Sequence, residues 1–240
     1  MADRPRIRLF CFPYSGAGAS IFGGWTRALP EFVEVRAVEL PGRGRRIREA
    51  TVPRLPALVD DVAALLETEL DAPYALFGHS MGALLAFELA RSLRRTGANG
   101  PVHFFASGHA APQTPRTDDP LHVLPEDEFV ERVRSLEGTA DELLEHEEFR
   151  RILIPVLRAD FAVCETYVHE PGEPLDCGIT VFGGVGDPYV DRDTLLGWRE
   201  HTRGPFALRM LPGGHFFLNT ARQALLEAVA RDLIGGARRT

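Results

Sequence analysis

Short apolar segments alternate with helical patterns along most of the chain. The apolar segments predict strands at residues 7–12, 33–40, 74–77, 102–107, 178–182 and 206–211. Apolar residues at helical spacing predict helices at 19–29, 55–70 and 83–95, and a helix follows each of the last two strands. Strands joined by helical crossovers form a parallel sheet that is covered on both faces. The pattern therefore predicts an α/β, doubly wound fold.

Residues 108–176 break this alternation. They contain no convincing strand but several acidic helical patterns, at 126–135, 140–145 and 147–168, with prolines at the entry and the exit. We predict a helical lid subdomain at 108–176, inserted into a core made of 1–107 and 177–240. A solvated helical cap without a role in chemistry is the alternative. The insertion leaves from the carboxyl edge of the sheet, where ligands bind in such folds, and this favours a lid.

A serine lies on a predicted sharp turn between a strand and a helix. The pentapeptide Gly78-His79-Ser80-Met81-Gly82 follows strand 74–77 and precedes helix 83–95. Its two glycines suit a turn so tight that side chains would collide with neighbouring backbone. An ordinary glycine-rich turn could carry the same motif. The position between strand and helix favours Ser80 as the nucleophile of a hydrolase.

A serine nucleophile needs a histidine base and an acid that orients the histidine. His215 follows the last predicted strand and lies in a loop that contains two glycines, and Asp187 follows the preceding strand. The order Ser80, Asp187, His215 is the one expected for α/β-hydrolases. Asp191 and Asp193 compete for the acid's role, although both resemble N-terminal residues of the next helix. Five other histidines are in loops or polar helices and are interpreted as surface residues: His109, His122, His146, His169 and His201.

Hydrolysis also needs N–H donors for the oxyanion that forms on the attacked carbonyl. One donor is the N–H of the residue after the nucleophile, Met81, and another comes from a loop after an early strand. That loop is Phe12-Pro13-Tyr14-Ser15-Gly16-Ala17-Gly18, and we expect the N–H of Tyr14 or Ser15 to serve. A phosphate cradle is the alternative reading. The loop lacks the lysine and spacing of a P-loop and the spacing of a dinucleotide fingerprint.

Composition narrows the class of protein. The chain has 240 residues, 45% hydrophobic and 25% charged, which fits one soluble enzyme domain. Its formal net charge of −7 argues against general nucleic-acid binding. We find no signal peptide and no run of membrane-spanning length, and we predict a cytoplasmic protein. Three cysteines without metal-type spacing predict free thiols and no metal site.

Several motifs together resemble those of type II thioesterases, the stand-alone editing enzymes of polyketide and nonribosomal peptide synthesis. They are Leu9-Phe10-Cys11-Phe12-Pro13-Tyr14-Ser15-Gly16-Ala17-Gly18, Glu39-Leu40-Pro41-Gly42-Arg43-Gly44-Arg45-Arg46, Gly78-His79-Ser80-Met81-Gly82 and Leu211-Pro212-Gly213-Gly214-His215-Phe216-Phe217. The resemblance spans nearly the whole chain. It implies an α/β-hydrolase fold that lacks the first edge strands, with Ser80 as nucleophile, Asp187 as acid and His215 as base.

The resemblance also implies a substrate and a partner. The expected reaction is hydrolysis of stalled or aberrant acyl groups from the phosphopantetheine arm of an acyl or peptidyl carrier protein, by a monomer that uses no cofactor. A start at Met1 without a preceding carrier domain favours this type over a chain-terminating thioesterase domain. A general serine esterase or lipase acting on oxygen esters remains the alternative, because it would share every catalytic residue. A non-enzymatic binding protein is disfavoured, since all three triad positions are filled.

An arginine-rich segment follows the second predicted strand. Arg43, Arg45, Arg46 and Arg48 fall within six residues. A solvated basic turn is one reading. The other is a docking edge, because carrier proteins are typically acidic and their arm bears a phosphate.

Overall fold

The computed structural model describes residues 6–136 and 146–236. Its strands are β1 (Ile7–Phe12), β2 (Val33–Ala37), β3 (Tyr74–His79), β4 (His103–Ser107), β5 (Gly178–Gly184) and β6 (Phe206–Leu211). They form a six-stranded sheet in the order β2-β1-β3-β4-β5-β6, and every neighbouring pair is parallel. The predicted parallel α/β sheet is confirmed. Parallel strands place all their carboxyl ends on one edge, which is where the site residues are found.

Helices connect these strands and cover the sheet. The α-helices are α1 (Trp25–Ala28), α2 (Leu55–Leu66), α3 (Met81–Arg95), α4 (Glu126–Ser135), α5 (Glu147–Glu165), α6 (Arg192–Leu196), α7 (Phe217–Thr220) and α8 (Arg222–Gly236). Short 3₁₀ turns are at Ala19–Phe22, Gly44–Arg46, Glu67–Glu69, Leu121–Val123 and Gly197–His201.

Element boundaries differ from the predictions where glycine or a tighter turn intervenes. The predicted helix 19–29 is divided into a 3₁₀ turn and α1, because Gly23 and Gly24 separate them and Gly24 has a φ of +82°. The predicted helix 55–70 is α-helical only to Leu66 and then tightens into a 3₁₀ turn. The strand predicted at 33–40 ends at Ala37. The predicted helix at 140–145 lies outside the described residues.

Two hydrophobic clusters lie on the two faces of the sheet. Successive side chains of a strand point to opposite faces, so Phe10 and Phe12 join one cluster while Leu9 and Cys11 join the other. Helices α2 and α3 pack on the first face, and α1 and α8 pack on the second. The central strands β1, β3, β4 and β5 are thereby buried on both faces, which leaves their carboxyl ends for chemistry.

The segment between β4 and β5 has a small hydrophobic cluster of its own. Residues of α4 and α5 form it: Phe129, Val130, Val133, Ile154 and Leu157. Helix α5 also packs on the sheet's loops, since a Cβ on Gly16 would lie 2.5 Å from Leu157 Cδ2 and one on Gly42 would lie 3.3 Å from Val156 Cγ2. The α5 helix therefore lies against the loops that follow β1 and β2.

Candidate active site

Ser80 has an unusual backbone conformation at the junction of β3 and α3. Its φ of 52° is the only positive value among the non-glycine residues that the structure describes. The Ser80 N–H donates to Ser107 O at 2.7 Å, and Ser80 O accepts from Ala83 N–H at 2.8 Å. A Cβ on Gly78 would overlap the Gly82 carbonyl. Strain of this kind is maintained by the surrounding structure and is typical of a nucleophile elbow.

His215 and Asp187 form a buried hydrogen-bonded pair. Nδ1 of His215 lies 2.8 Å from Oδ2 of Asp187, and the Asp187 side chain is fully buried. Oδ1 of Asp187 accepts from the N–H of Tyr189 at 2.9 Å and of Val190 at 3.3 Å. With Nδ1 directed to the carboxylate, Nε2 of the His215 ring is left for proton transfer.

Backbone contacts hold the loops of the acid and the base together. The N–H of Val185 donates to Leu211 O at 2.8 Å, and the N–H of Gly186 donates to Gly213 O at 2.9 Å. These bonds join the loop after β5 to the loop after β6. The distance between Asp187 and His215 is therefore set by the backbone as well as by their own side chains.

The competing acid Asp191 has a different role. Its carboxylate accepts from the Thr194 N–H at 2.8 Å and caps helix α6. Hydrogen bonds from Thr194 lower the pKa of Asp191, which is the expected effect of donors on a carboxylate. Asp193 lies in the first turn of α6. The structure thus brings Asp187, and not Asp191, to His215.

His79 is a buried neighbour of the base. Its Nδ1 lies 2.8 Å from Ser107 Oγ, and its ring centroid lies 5.2 Å from that of His215. Burial holds the pKa of His79 well below its ordinary value, and the nearby His215 adds to this effect. His79 is therefore a neutral packing partner beneath the site. Its contact with His215 could not be read from the sequence, where the residue belongs to the turn motif alone.

The loop after β1 lies against the start of α3. A Cβ on Gly82 would lie 2.6 Å from Pro13 O and closer still to Phe12 O. Met81 is the first residue of α3, where N–H groups have no partner within the helix. The Tyr14 ring packs edge-on against Phe216, with centroids 4.8 Å apart. The structure thus brings the segment with Tyr14 and Ser15 beside Met81 and the His215 loop. That the N–H of Met81 and of Tyr14 or Ser15 stabilise an oxyanion stays a prediction.

The predicted arginine edge is only partly a free surface. Arg43 is 8% exposed, and its guanidinium pairs with Asp160 of α5. Arg46 pairs with Asp61 and Glu49, which raises its pKa. This corrects the expectation for Arg43, because a buried paired guanidinium cannot face a partner. Exposed members of the group are Arg45 and Arg48.

The surface interpretation of His201 is wrong, and His109 is only partly exposed. His201 is 8% exposed, and its Nε2 lies 2.6 Å from Gln113 Oε1. Burial lowers the pKa of each of these two histidines to about 4. His201 lies in the 3₁₀ turn after α6 and packs against the buried Trp198.

The described residues contain no cluster of His, Cys, Asp and Glu that could hold a metal ion. None of their helices is long and apolar enough to cross a membrane. Cys11, Cys164 and Cys177 are free thiols. A shallow cavity of about 260 Å³ is lined by Pro212, Gly213, Gly214, Phe216 and Thr220. It borders the His215 loop and is lined by neither Ser80 nor Asp187.

Comparisons with known proteins find similar sequences and structures among thioesterases. The thioesterase domain family matches residues 7–234. The gramicidin S biosynthesis protein GrsT of Aneurinibacillus migulanus is 42% identical over 228 residues, covering 95% of this chain and 89% of the relative. The structure of RedJ, a thioesterase from the prodiginine pathway of Streptomyces coelicolor, matches with a TM-score of 0.86 and 43% identity, over 96% of this chain and 89% of that one. The type II thioesterase BorB of the borrelidin cluster matches with a TM-score of 0.86 and 37% identity, over 96% of this chain and 94% of that one.

Proposed function

The chain belongs to the thioesterase domain family, and from that premise we propose that it frees carrier proteins of polyketide or nonribosomal peptide synthesis from stalled acyl groups. The bond it cleaves is the thioester to the phosphopantetheine arm. The observations that carry the proposal are the buried, hydrogen-bonded Asp187–His215 pair and the positive φ of Ser80 at the turn between β3 and α3. Relatives named for gramicidin S and prodiginine biosynthesis support the choice of carrier-bound substrates.

The proposed mechanism has two acyl transfers. Nε2 of His215 takes the Ser80 proton while Oγ attacks the thioester carbonyl carbon. The N–H of Met81 and that of Tyr14 or Ser15 stabilise the oxyanion. The C–S bond then breaks, and His215 returns the proton to the departing thiolate. Water repeats the attack on the acyl-Ser80 ester, which releases the free acid and restores the serine.

Asp187 would act through its burial and its fixed orientation. Its two oxygens accept from His215 and from two backbone N–H groups, so the carboxylate cannot rotate without losing these bonds. Held in this way, it keeps the proton on Nδ1 and stabilises the imidazolium that forms during each transfer. We propose that the segment 108–176 forms a lid over this site and that α5 is the part of the lid that rests on the core. We also propose that the protein is a monomer and is cytoplasmic.

The substrate class is tested by comparing three acyl donors that carry the same acyl group. These are an acyl carrier protein, acyl-coenzyme A and a nitrophenyl ester. We expect the largest kcat/KM for the carrier-bound thioester. A larger value for the oxygen ester would favour a general serine esterase, which would use the same triad.

Carrier docking is proposed for Arg45 and Arg48, the exposed members of the arginine segment. Replacing both with Glu should raise KM for an acyl carrier protein and leave KM for a small thioester unchanged, since only the carrier presents an acidic surface. Arg231→Glu on the exposed side of α8 is the matched control. Equal changes for both substrates would reject docking at this segment.

A further inference from the structure

A buried ion pair joins helix α5 to the loop after β2. Asp160 is 1% exposed and Arg43 is 8% exposed. Arg43 Nη1 lies 2.6 Å from Asp160 Oδ2, and Nη2 lies 2.7 Å from Oδ1, so the pairing is bidentate. Breaking such a pair is costly, yet well-packed apolar side chains of similar volume are often as stable. Stability alone therefore does not account for the pair, and both side chains make further contacts.

Both partners of the pair also bind the loop that carries the predicted oxyanion donors. Asp160 Oδ2 accepts from the Gly16 N–H at 2.7 Å. Arg43 Nη1 donates to Ala17 O at 3.1 Å. The loop is thus bound at two successive residues by charged groups, immediately after Tyr14 and Ser15. Charged hydrogen bonds in a buried setting are strong and directional, so they fix the orientation of these peptide groups.

Gly16 brings its backbone against α5. Its φ is +81°, and a Cβ there would lie 2.5 Å from Leu157 Cδ2, one helical turn before Asp160. No other residue type combines this conformation with this close approach at low cost. The Gly16 N–H therefore reaches the Asp160 carboxylate because the residue is glycine, and α5 cannot leave the loop without losing this bond.

We propose that Asp160 and Arg43 are positioning residues for the oxyanion donors. They hold the Tyr14–Ser15 peptide groups at the place where the carbonyl oxygen gains charge, and so make catalysis depend on how α5 lies against the loop. The inference rests on the proposed function. This role explains why Asp160 lies on the buried face of α5. It also explains why Arg43 is buried although its segment has the sequence of a basic turn.

Asp160→Asn is the decisive variant, because it keeps the shape and an acceptor for Gly16 while it removes the charge that Arg43 requires. We expect kcat on a small thioester to fall roughly 10- to 100-fold, with KM changed by less than about threefold. Affinity for an alkyl boronic acid, which forms a tetrahedral anion on Ser80, should fall by the same factor as kcat/KM. Rates are expressed per active serine, titrated with a fluorophosphonate.

Asp232→Asn is the matched control. It breaks the partly buried Arg209–Asp232 pair, whose atoms are 2.7 Å apart on β6 and α8. We expect it to lower Tm while kcat and boronic acid affinity stay unchanged. If Asp160→Asn does not fold, Arg43→Lys is tested in its place. The lysine keeps the positive charge but cannot make the bidentate pair, so kcat and boronic acid affinity should both decrease.

The proposal is overturned if folded Asp160→Asn, or Arg43→Lys in its place, keeps kcat within about twofold of wild type. It is also overturned if kcat falls while boronic acid affinity is unchanged. A wild-type enzyme that never acylates Ser80 would instead refute the proposed function itself.

Discussion

The contact between the nucleophile elbow and the loop after β1 can be tested with one added methyl group. In Gly82→Ala, the new Cβ would lie 2.6 Å from Pro13 O and closer still to Phe12 O, both of them backbone atoms. A backbone carbonyl cannot rotate away as a side chain can, so the start of α3 and the loop must separate. A separation of roughly 1 Å costs about 100-fold in rate when it misplaces catalytic groups. Overpacking of this kind also costs about 1–3 kcal/mol of stability, or roughly 2–4 °C in Tm per kcal/mol.

The assay follows thiol release from a short acyl thioester, with active serine titrated by a fluorophosphonate and Tm measured by thermal unfolding. Gly100→Ala is the matched control, since a Cβ there meets nothing within 4 Å. We expect Gly82→Ala to have a lower kcat and a lower Tm than the wild type. We expect Gly100→Ala to have the kcat and the Tm of the wild type. A Gly82→Ala enzyme with wild-type kcat and unchanged Tm would refute the claim that the start of α3 and the loop after β1 are in contact.

The remaining predictions concern the acid of the triad and the acid stability of the fold. Asp187→Asn should lower kcat by about 10⁴ with the fold intact, because His215 then loses the acceptor that fixes its tautomer. Asp191→Asn should leave both stability and kcat nearly unchanged, because Asn caps a helix about as well as Asp does. Equal kcat for the two variants would contradict the assignment. Burial lowers the pKa of His103 and His109 to about 4, whereas both bind protons near their ordinary pKa when unfolded. The free energy of unfolding should therefore be fully retained above pH 6.5 and fall as the pH drops toward about 4. Urea midpoints at pH values of about 7.5 and 5 check this, and an equal or higher midpoint at the lower pH would contradict it.

The sheet could be predicted because most of its strands are apolar segments that end at glycine, proline or polar residues, whereas β2 carries Glu34 and Arg36 and ends earlier than the pattern indicates. Ile7–Phe12 and Phe206–Leu211 have the boundaries that the pattern indicates. The order of Ser80, Asp187 and His215 follows from the same reasoning, since each comes after a strand whose carboxyl end lies on the shared edge.

The pairing of Arg43 with Asp160 could not be predicted, because the two residues are 117 positions apart and local pattern carries no information on such contacts. Arg43 is close in sequence to the exposed Arg45 and Arg48, and nothing in the local sequence distinguishes it from them. One signal was present: Asp160 shares the buried face of α5 with Val156, Leu157 and Val163, where an unpaired acid would be costly. That signal says that a partner exists but does not identify it.

The central claim is that Ser80 takes the acyl group from a carrier-bound thioester. The most direct measurement is rapid acid quenching of the enzyme with an acylated carrier protein, followed by intact-mass and peptide mass spectrometry of both proteins. We expect a transient acyl adduct on the peptide that contains Ser80 and a carrier left with its free thiol, while Ser80→Ala gives neither. Deacylation of the carrier by Ser80→Ala at near the wild-type rate would contradict the account.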